Sequence, residues 1–135
     1  MNKINIVLIS DLNELVELFE EHRKFYKKRP NKQKARVFLQ ERMAQKDSTI
    51  IVSKNIQNKL NGFLQLYPLF SSTQMEKMWL LNDLYVKPEH RQHVISVALI
   101  NKAKQYCKKT KACGLLETLK QISLATRFIL KQNLY

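Results

Sequence analysis

Glycine, proline and cysteine are scarce in this chain. Its 135 residues include two glycines, three prolines and two cysteines. This composition excludes a collagen-like repeat, a Pro/Gly-rich linker and a disulfide-rich scaffold. Cys107 and Cys113 are not part of a CxxC motif, so we predict two reduced thiols in preference to a disulfide or a metal-binding pair.

Long apolar runs are also absent. No stretch approaches the roughly 20 apolar residues that a membrane-spanning helix needs, and the first residues are typical of a strand, not of a signal peptide. We therefore expect a cytoplasmic protein with no membrane partner. The three histidines, His22, His90 and His93, have no ligand spacing, so no metal site is predicted.

Acidic residues are few relative to basic ones, with 11 Asp and Glu against 24 Lys and Arg and a formal net charge of +13. The basic residues are concentrated between positions 23 and 46, where Glu41 is the only acid, whereas positions 11–21 contain acids and no base. Such a basic segment binds nucleic acid, attracts an acidic partner, draws in the phosphates of a cofactor, or simply keeps a helix face solvated. Composition alone leaves these alternatives open.

The pattern of apolar residues predicts strands that alternate with helices in one domain, residues 1–135. The predicted strands are 3–9, 49–53, 62–69, 75–86 and 114–119, and the predicted helices are 11–26 with an N-cap at Ser10, 32–45, 93–109 and 124–132. A helix that joins two consecutive strands implies a parallel pair with a right-handed crossover. We therefore predict an α/β (α+β) fold with a mixed, mostly antiparallel sheet, one central parallel pair and flanking helices.

Residues 79–111 are the most informative stretch. An apolar strand ends at Val86, Pro88 interrupts the chain, and a long amphipathic helix follows a basic connector. The first N–H groups of such a helix lack partners within the helix and point beyond the end of the strand, where they attract anions. A ligand that carries phosphate is the first hypothesis.

The same stretch, LNDLYVKPEHR and the helix after it, resembles the central motif of the GNAT acetyltransferases, in particular the small-molecule branch that includes the diamine and polyamine enzymes. The resemblance extends over nearly the whole chain. It implies acetyl-CoA as the co-substrate, a small primary amine as the acceptor and direct acetyl transfer. It also implies a domain that lacks the usual C-terminal strands, which leaves a sheet edge that a second copy would cover in a homodimer.

The resemblance assigns the cofactor site to two segments. Backbone groups of Leu84, Tyr85 and Val86 are expected to contact the pantetheine arm and the developing oxyanion. The pyrophosphate is expected at the segment that follows, which consists of Arg91, Gln92, His93, Val94, Ile95 and Ser96. Val94 and Ser96 stand where the family has glycine and glycine or alanine, so the acetyl-CoA motif departs from the family pattern, most severely at the β-branched Val94.

The proton-transfer positions depart from the family as well. Asn82 stands where polyamine-type relatives often have glutamate, which makes Asp83 the nearest carboxylate; both are candidate catalytic residues. Strict alternation places Asn82 and Asp83 on opposite faces of the strand, although a bulge would redirect them. The alternative to a catalytic role is that Asp83 is a structural carboxylate, which forms a hydrogen bond or an ion pair within the fold. Ile129 takes the place of the tyrosine that serves as the acid in the family.

The acceptor pocket is expected beside the first two helices, where Phe25 and Tyr26 either line it or belong to the core. The predicted function is acetyl-CoA-dependent N-acetylation of a small primary amine. The alternatives are a catalytically impaired GNAT-like binding module and, less favoured, a basic nucleic-acid-binding protein, since no aromatic residues are interleaved with the basic segment in a known binding motif.

Overall fold

The computed structural model describes residues 2–89 and 92–117. In chain order the elements are β1 (Lys3–Ile6), a short 3₁₀ helix (Ile9–Asp11), α1 (Leu12–Phe25), α2 (Lys32–Gln45), β2 (Thr49–Lys54), β3 (Leu60–Ser71), β4 (Glu76–Val86), α3 (Gln92–Lys109) and β5 (Leu115–Glu117). The predicted last helix, the position of Ile129 and any strands beyond β5 lie outside the described residues.

The strands form one sheet in the order β1-β2-β3-β4-β5. The first four pair in antiparallel fashion with their sequence neighbours, whereas β4 and β5 are parallel. This arrangement confirms the predicted mixed sheet with a parallel pair joined by a helix. Strand β3 is buried on both faces from Leu60 to Leu66, because helices cover the sheet on both sides.

Two hydrophobic clusters lie on the two faces of the sheet. The cluster under α3 combines Leu99 and Ile100 with Leu64, Leu81 and other side chains of β2 to β5. The cluster under α1 and α2 consists of Leu12, Leu15, Val16, Leu18, Ala35, Leu39, Ile50, Val52, Leu60 and Phe63. Each apolar helix face predicted from the sequence is therefore matched by one face of the sheet.

Several element ends differ from the prediction by one to three residues, and the clearest differences lie near the N-terminus. Strand β1 ends at Ile6, and Ser10 is not the N-cap of α1, because a short 3₁₀ helix precedes α1 and Asp11 occupies the N-cap position. The Asp11 carboxylate accepts a hydrogen bond from the backbone N–H of Leu8 and lies 2.8 Å from Lys54 Nζ. This ion pair joins Asp11 to a residue of β2, so it is a tertiary contact. A rule for N-caps that considers only neighbouring residues does not predict it.

The crossover helix α3 is anchored at its C-terminal end. The indole Nε1 of Trp79 donates a 2.9 Å hydrogen bond to Thr110 Oγ1, and Trp79 N–H donates to the carbonyl of Gly114. These bonds fix the return of the chain into β5, so the parallel pair begins at Trp79 and Leu115.

Candidate active site

A β-bulge lies in the middle of β4. Gln65 of β3 pairs with Asp83, and the next residue, Leu66, pairs with Leu81, so Asn82 is the extra residue of the bulge. Leu81 packs in the α3-side cluster, and strict alternation would place Asp83 on the same side. The bulge instead turns the Asp83 side chain to the α1 side.

Asp83 is held there by two neighbours. His22 Nε2 of α1 lies 3.2 Å from Asp83 Oδ1, and the side-chain amide of Asn82 donates a 3.2 Å hydrogen bond to Asp83 Oδ2. His22 is buried, Asp83 is partly buried, and Asn82 is exposed. The two predicted catalytic residues are therefore in contact, and the carboxylate lies between a buried imidazole and the surface.

Three aromatic rings surround His22. Tyr26 and Phe63 meet the imidazole edge-on at ring-centroid distances of 5.1 and 5.7 Å, and Tyr85 is tilted against it at 5.7 Å. Burial, together with the charge of Glu21 and a hydrogen bond to it, raises the pKa of Tyr85 to about 12. Burial and the charge of Asp83 also raise the pKa of Tyr26. Both phenols stay neutral near pH 7.

Tyr26 thus joins the cluster around Asp83, whereas Phe25 is farther out. The Phe25 ring is exposed and meets the Tyr26 ring edge-on at 5.8 Å. The side chain of Phe25 lies outside both hydrophobic clusters. These two predicted substrate residues lie at the C-terminal end of α1 and are open to solvent, and Tyr26 is the one near the carboxylate.

The backbone of β4 beyond the bulge has a partner on one side within the described residues. Leu84, Tyr85 and Val86 pair with β3, but the pairing with β5 covers only Trp79 to Leu81. Within residues 2–89 and 92–117, no strand pairs with this edge of β4, where the cofactor site is expected.

The predicted pyrophosphate segment begins α3. The side-chain amide of Gln92 donates a 3.0 Å hydrogen bond to the carbonyl of Val86, and the Gln92 N–H donates to the carbonyl of Glu89. His93 is exposed, Ser96 is half-buried, and the Ile95 side chain belongs to the core, so only backbone groups of Ile95 are open to a ligand. Arg91 lies outside the described residues.

A pocket of about 370 Å³ lies between α3, β1 and the turn after β2, and Val94 and Ile95 of the predicted pyrophosphate segment are among the residues that line it. The residues around it are Asn2, Ile4, Asn55, Ile56, Asn61, Glu89, Val94, Ile95 and Ala98. The residue that departs most from the family motif therefore lines a pocket on the β1 side of α3.

The part of the chain that the structure describes contains no group of three or more His, Cys, Asp or Glu side chains placed to bind a metal. Cys107 and Cys113 are free thiols, and burial raises the pKa of Cys107 to about 11. Among these residues, no helix is long and apolar enough to cross a membrane.

His22 and Glu21 were not predicted as site residues from the sequence. His22 follows Leu15 by seven positions and Leu18 by four, so it lies on the buried face of α1. The available sequence signal was that His22, a titratable residue, lies on the apolar face of a predicted helix. Its partner in β4 is 61 residues away, a separation that helical periodicity does not span.

Comparison with known proteins defines the family to which this fold belongs. The sequence profile of the acetyltransferase (GNAT) family matches residues 15–129. The chain therefore belongs to the GNAT family of acetyltransferases. Transfer of an acetyl group is the activity that this family and its named members share, and the nucleic-acid-binding and non-catalytic alternatives are not favoured.

Two individual relatives support this family assignment. An uncharacterized N-acetyltransferase of Bacillus subtilis strain 168, YhfO, is 32% identical over 126 residues, which cover 93% of this chain and 84% of the relative. A probable acetyltransferase of Haemophilus influenzae is 34% identical over 107 residues, covering 79% and 73% of the two chains.

Solved structures extend the comparison. The crystal structure of a probable acetyltransferase has a TM-score of 0.87 and 30% identity, and the match covers 96% of this chain and 87% of that one. A predicted acetyltransferase of Clostridium acetobutylicum, solved with acetyl-CoA, has a TM-score of 0.77 at 10% identity, with 96% and 88% covered. At that identity the likeness concerns the fold alone.

Proposed function

We propose that this acetyltransferase transfers the acetyl group of acetyl-CoA directly to a small primary amine. The observation that carries the proposal is the bulge at Asn82, which turns the Asp83 carboxylate to the α1 side, two residues beyond the pair of Leu81 with Glu117. Donor and acceptor would then meet at one position from opposite sides of β4.

The donor side fits the residues present. Backbone groups of Leu84, Tyr85 and Val86 would hold the pantetheine arm, because strand N–H groups act independently of side-chain identity. The first N–H groups of α3, with Gln92, His93 and Ser96 and with Arg91 in sequence, would hold the pyrophosphate. The bound co-substrate supplies an acetyl thioester, and these groups orient it.

The acceptor side rests on Asp83. A primary amine is an ammonium ion near pH 7, and a partly buried carboxylate binds such a cation and accepts its proton. Asn82 donates to one carboxylate oxygen and so fixes its orientation. The exposed rings of Phe25 and Tyr26 would flank the carbon chain of the amine, and their neutral character suits an apolar stem.

Acetyl transfer to a panel of butylamine, 1,4-diaminobutane and glycinamide tests the proposal, with thermal unfolding as the binding assay. At 100 times the dissociation constant, acetyl-CoA should stabilise the protein by about 2.7 kcal/mol. The variant Asp83→Asn should lose about 10²- to 10⁴-fold in kcat/KM and keep the acetyl-CoA shift. Glu17→Gln, which removes an exposed carboxylate of α1, should retain activity. Absence of any shift at millimolar acetyl-CoA would refute the proposal.

A further inference from the structure

His22 contacts the carboxylate that the proposed function uses. The side chain of His22 is 7% exposed and that of Asp83 is 20% exposed, with 3.2 Å between Nε2 and Oδ1. A carboxylate oxygen accepts hydrogen bonds, so the contact assigns a hydrogen to Nε2 and leaves Nδ1 as the nitrogen that gains or loses a proton. The imidazole lies behind the carboxylate as seen from solvent.

The other groups that face this imidazole do not change charge near neutral pH. Phe63 from β3 has no titratable group, and Tyr26 of α1 and Tyr85 of β4 have raised pKa values. Glu21 lies beyond Tyr85, to which its side chain is hydrogen-bonded. Imidazole is the side chain whose charge ordinarily changes between about pH 5 and 8.

We infer that His22 is a positioning residue that sets the affinity for the acceptor amine through its charge. The neutral imidazole holds Asp83 in place to receive the ammonium group of the amine. The imidazolium competes with that ammonium group for the same carboxylate. The inference rests on the proposed function, because it requires the amine to bind at Asp83.

The physical basis is that one carboxylate compensates one positive charge. A second cation within about 6 Å of the first is repelled in a partly buried site. Binding of the ammonium therefore releases a proton from Nδ1 to solvent, and protonation of His22 weakens amine binding by the same factor, which we expect to be about 10-fold. The effect falls on KM for the amine and leaves kcat at saturating amine much less changed.

The first experiment compares the wild type with His22→Gln, using butylamine as the acceptor at about pH 6 and about pH 8. Glutamine keeps an N–H donor for Asp83 but does not titrate. The wild-type KM for butylamine should be about 10-fold higher at the lower pH, and the His22→Gln variant should have similar values at both. Leu18→Val, which alters the same buried face of α1, should keep the wild-type ratio. A pH-independent wild-type KM, or a His22→Gln variant with the wild-type ratio, would overturn the inference.

A second measurement needs no catalysis and no substitution at His22. Butylamine is titrated calorimetrically into the complex with CoA at about pH 6 in two buffers of different ionisation enthalpy. The wild type should release a proton on binding, and Asp83→Asn should not. Binding without proton release in the wild type would overturn the inference while the proposed function stands. Proton release without acetyl transfer in the assay with acetyl-CoA would refute the proposed function alone. Failure of butylamine, 1,4-diaminobutane and glycinamide all to bind would refute both.

Discussion

The side-chain amide of Gln92 donates a 3.0 Å hydrogen bond to the backbone carbonyl of Val86. This bond joins the first residue of α3 to the last residue of β4 across the connector. On the other side, the N–H of Lys87 donates to the carbonyl of Asn61 in β3 at 2.9 Å. The connector between β4 and α3, which contains no glycine, is therefore held at the end of β4 by the side chain of Gln92 and by the backbone N–H of Lys87.

Substituting Gln92 should therefore affect binding more than an ordinary surface change. We expect Gln92→Ala to cost about 0.5–1.5 kcal/mol of folding stability. If the same bond orders the pyrophosphate segment, the dissociation constant for acetyl-CoA should rise by about 5-fold. Thermal unfolding and calorimetry measure the two effects, and Gln40→Ala on the exposed surface of α2 is the control. An unchanged affinity for acetyl-CoA would show that this contact does not shape the site.

Val94 offers a contrasting prediction. The sequence pattern made it the most severe departure from the family, because glycine permits a close approach of the backbone to phosphate. Val94 lies in the first turn of α3, is 50% exposed and lines the pocket beside Ile4 and Asn61. We expect Val94→Gly to lower stability by at most about 1 kcal/mol and to leave the affinity for acetyl-CoA nearly unchanged. A marked gain in affinity would show that the valine side chain obstructs the phosphates.

The fold was predictable where local chemistry decides it. Helix α2 has the predicted bounds, because Asn31 caps it by accepting from the N–H of Lys34 and apolar residues recur along one face. Strand β4 ends at Val86, as predicted from the Lys87-Pro88 break. Ser10 was wrongly assigned as the cap, since the contact of Asp11 with Lys54 comes from tertiary structure.

The site was less predictable, for a related reason. The Asn82 bulge depends on how β4 pairs with β3, and the contact of His22 with Asp83 depends on how α1 packs on the sheet. The scarcity of glycine also did not exclude backbone positions with a positive φ angle. Lys27, Lys46, Asn58, Met75 and Lys111 all have φ between 54° and 63°. Scarcity of glycine was therefore weak evidence against a tight turn in this chain.

Glu20 gives a prediction about pH. Its carboxylate accepts hydrogen bonds from Arg23 Nη1 and from the backbone N–H of Asn31, which joins α1 to the start of α2. Burial tends to raise the pKa of Glu20, but these two bonds and the charges of Arg23 and Lys32 outweigh it, so the pKa is lowered. A lowered folded-state pKa means that the ionised form is favoured by folding.

We therefore expect Glu20→Gln to destabilise the protein at pH 7 by about 1.5–3 kcal/mol, the range for hydrogen bonds to charged groups. Because the folded-state pKa lies below the unfolded one, the difference from wild type should be complete above about pH 4.3 and shrink as the pH falls through the lower folded-state pKa. Urea unfolding at several pH values measures it. Glu17→Gln, which removes an exposed pair with Lys32, should cost less than about 1 kcal/mol. Equal effects of the two variants would contradict this account.

Gly62 connects the core to the donor site. It pairs with Val86 across β3 and β4, and a Cβ atom added at Gly62 would lie 3.2 Å from the carbonyl oxygen of Tyr85, 3.2 Å from Val86 Cγ2 and 3.3 Å from Leu99 Cδ1. These contacts are tighter than ordinary van der Waals contacts. An alanine would therefore push the end of β4 and α3 away from β3.

We expect Gly62→Ala to cost about 1–3 kcal/mol of stability, as overpacked cores do, and also to weaken acetyl-CoA binding, because the displaced backbone of Tyr85 and Val86 is the proposed donor site. Ala35→Val overpacks the other cluster, under α1 and α2. It should lower stability by a similar amount and leave the affinity for acetyl-CoA unchanged. Calorimetry below the unfolding temperature separates binding from stability. If Gly62→Ala and Ala35→Val bind acetyl-CoA equally well, the cofactor does not depend on the position of the β4 end.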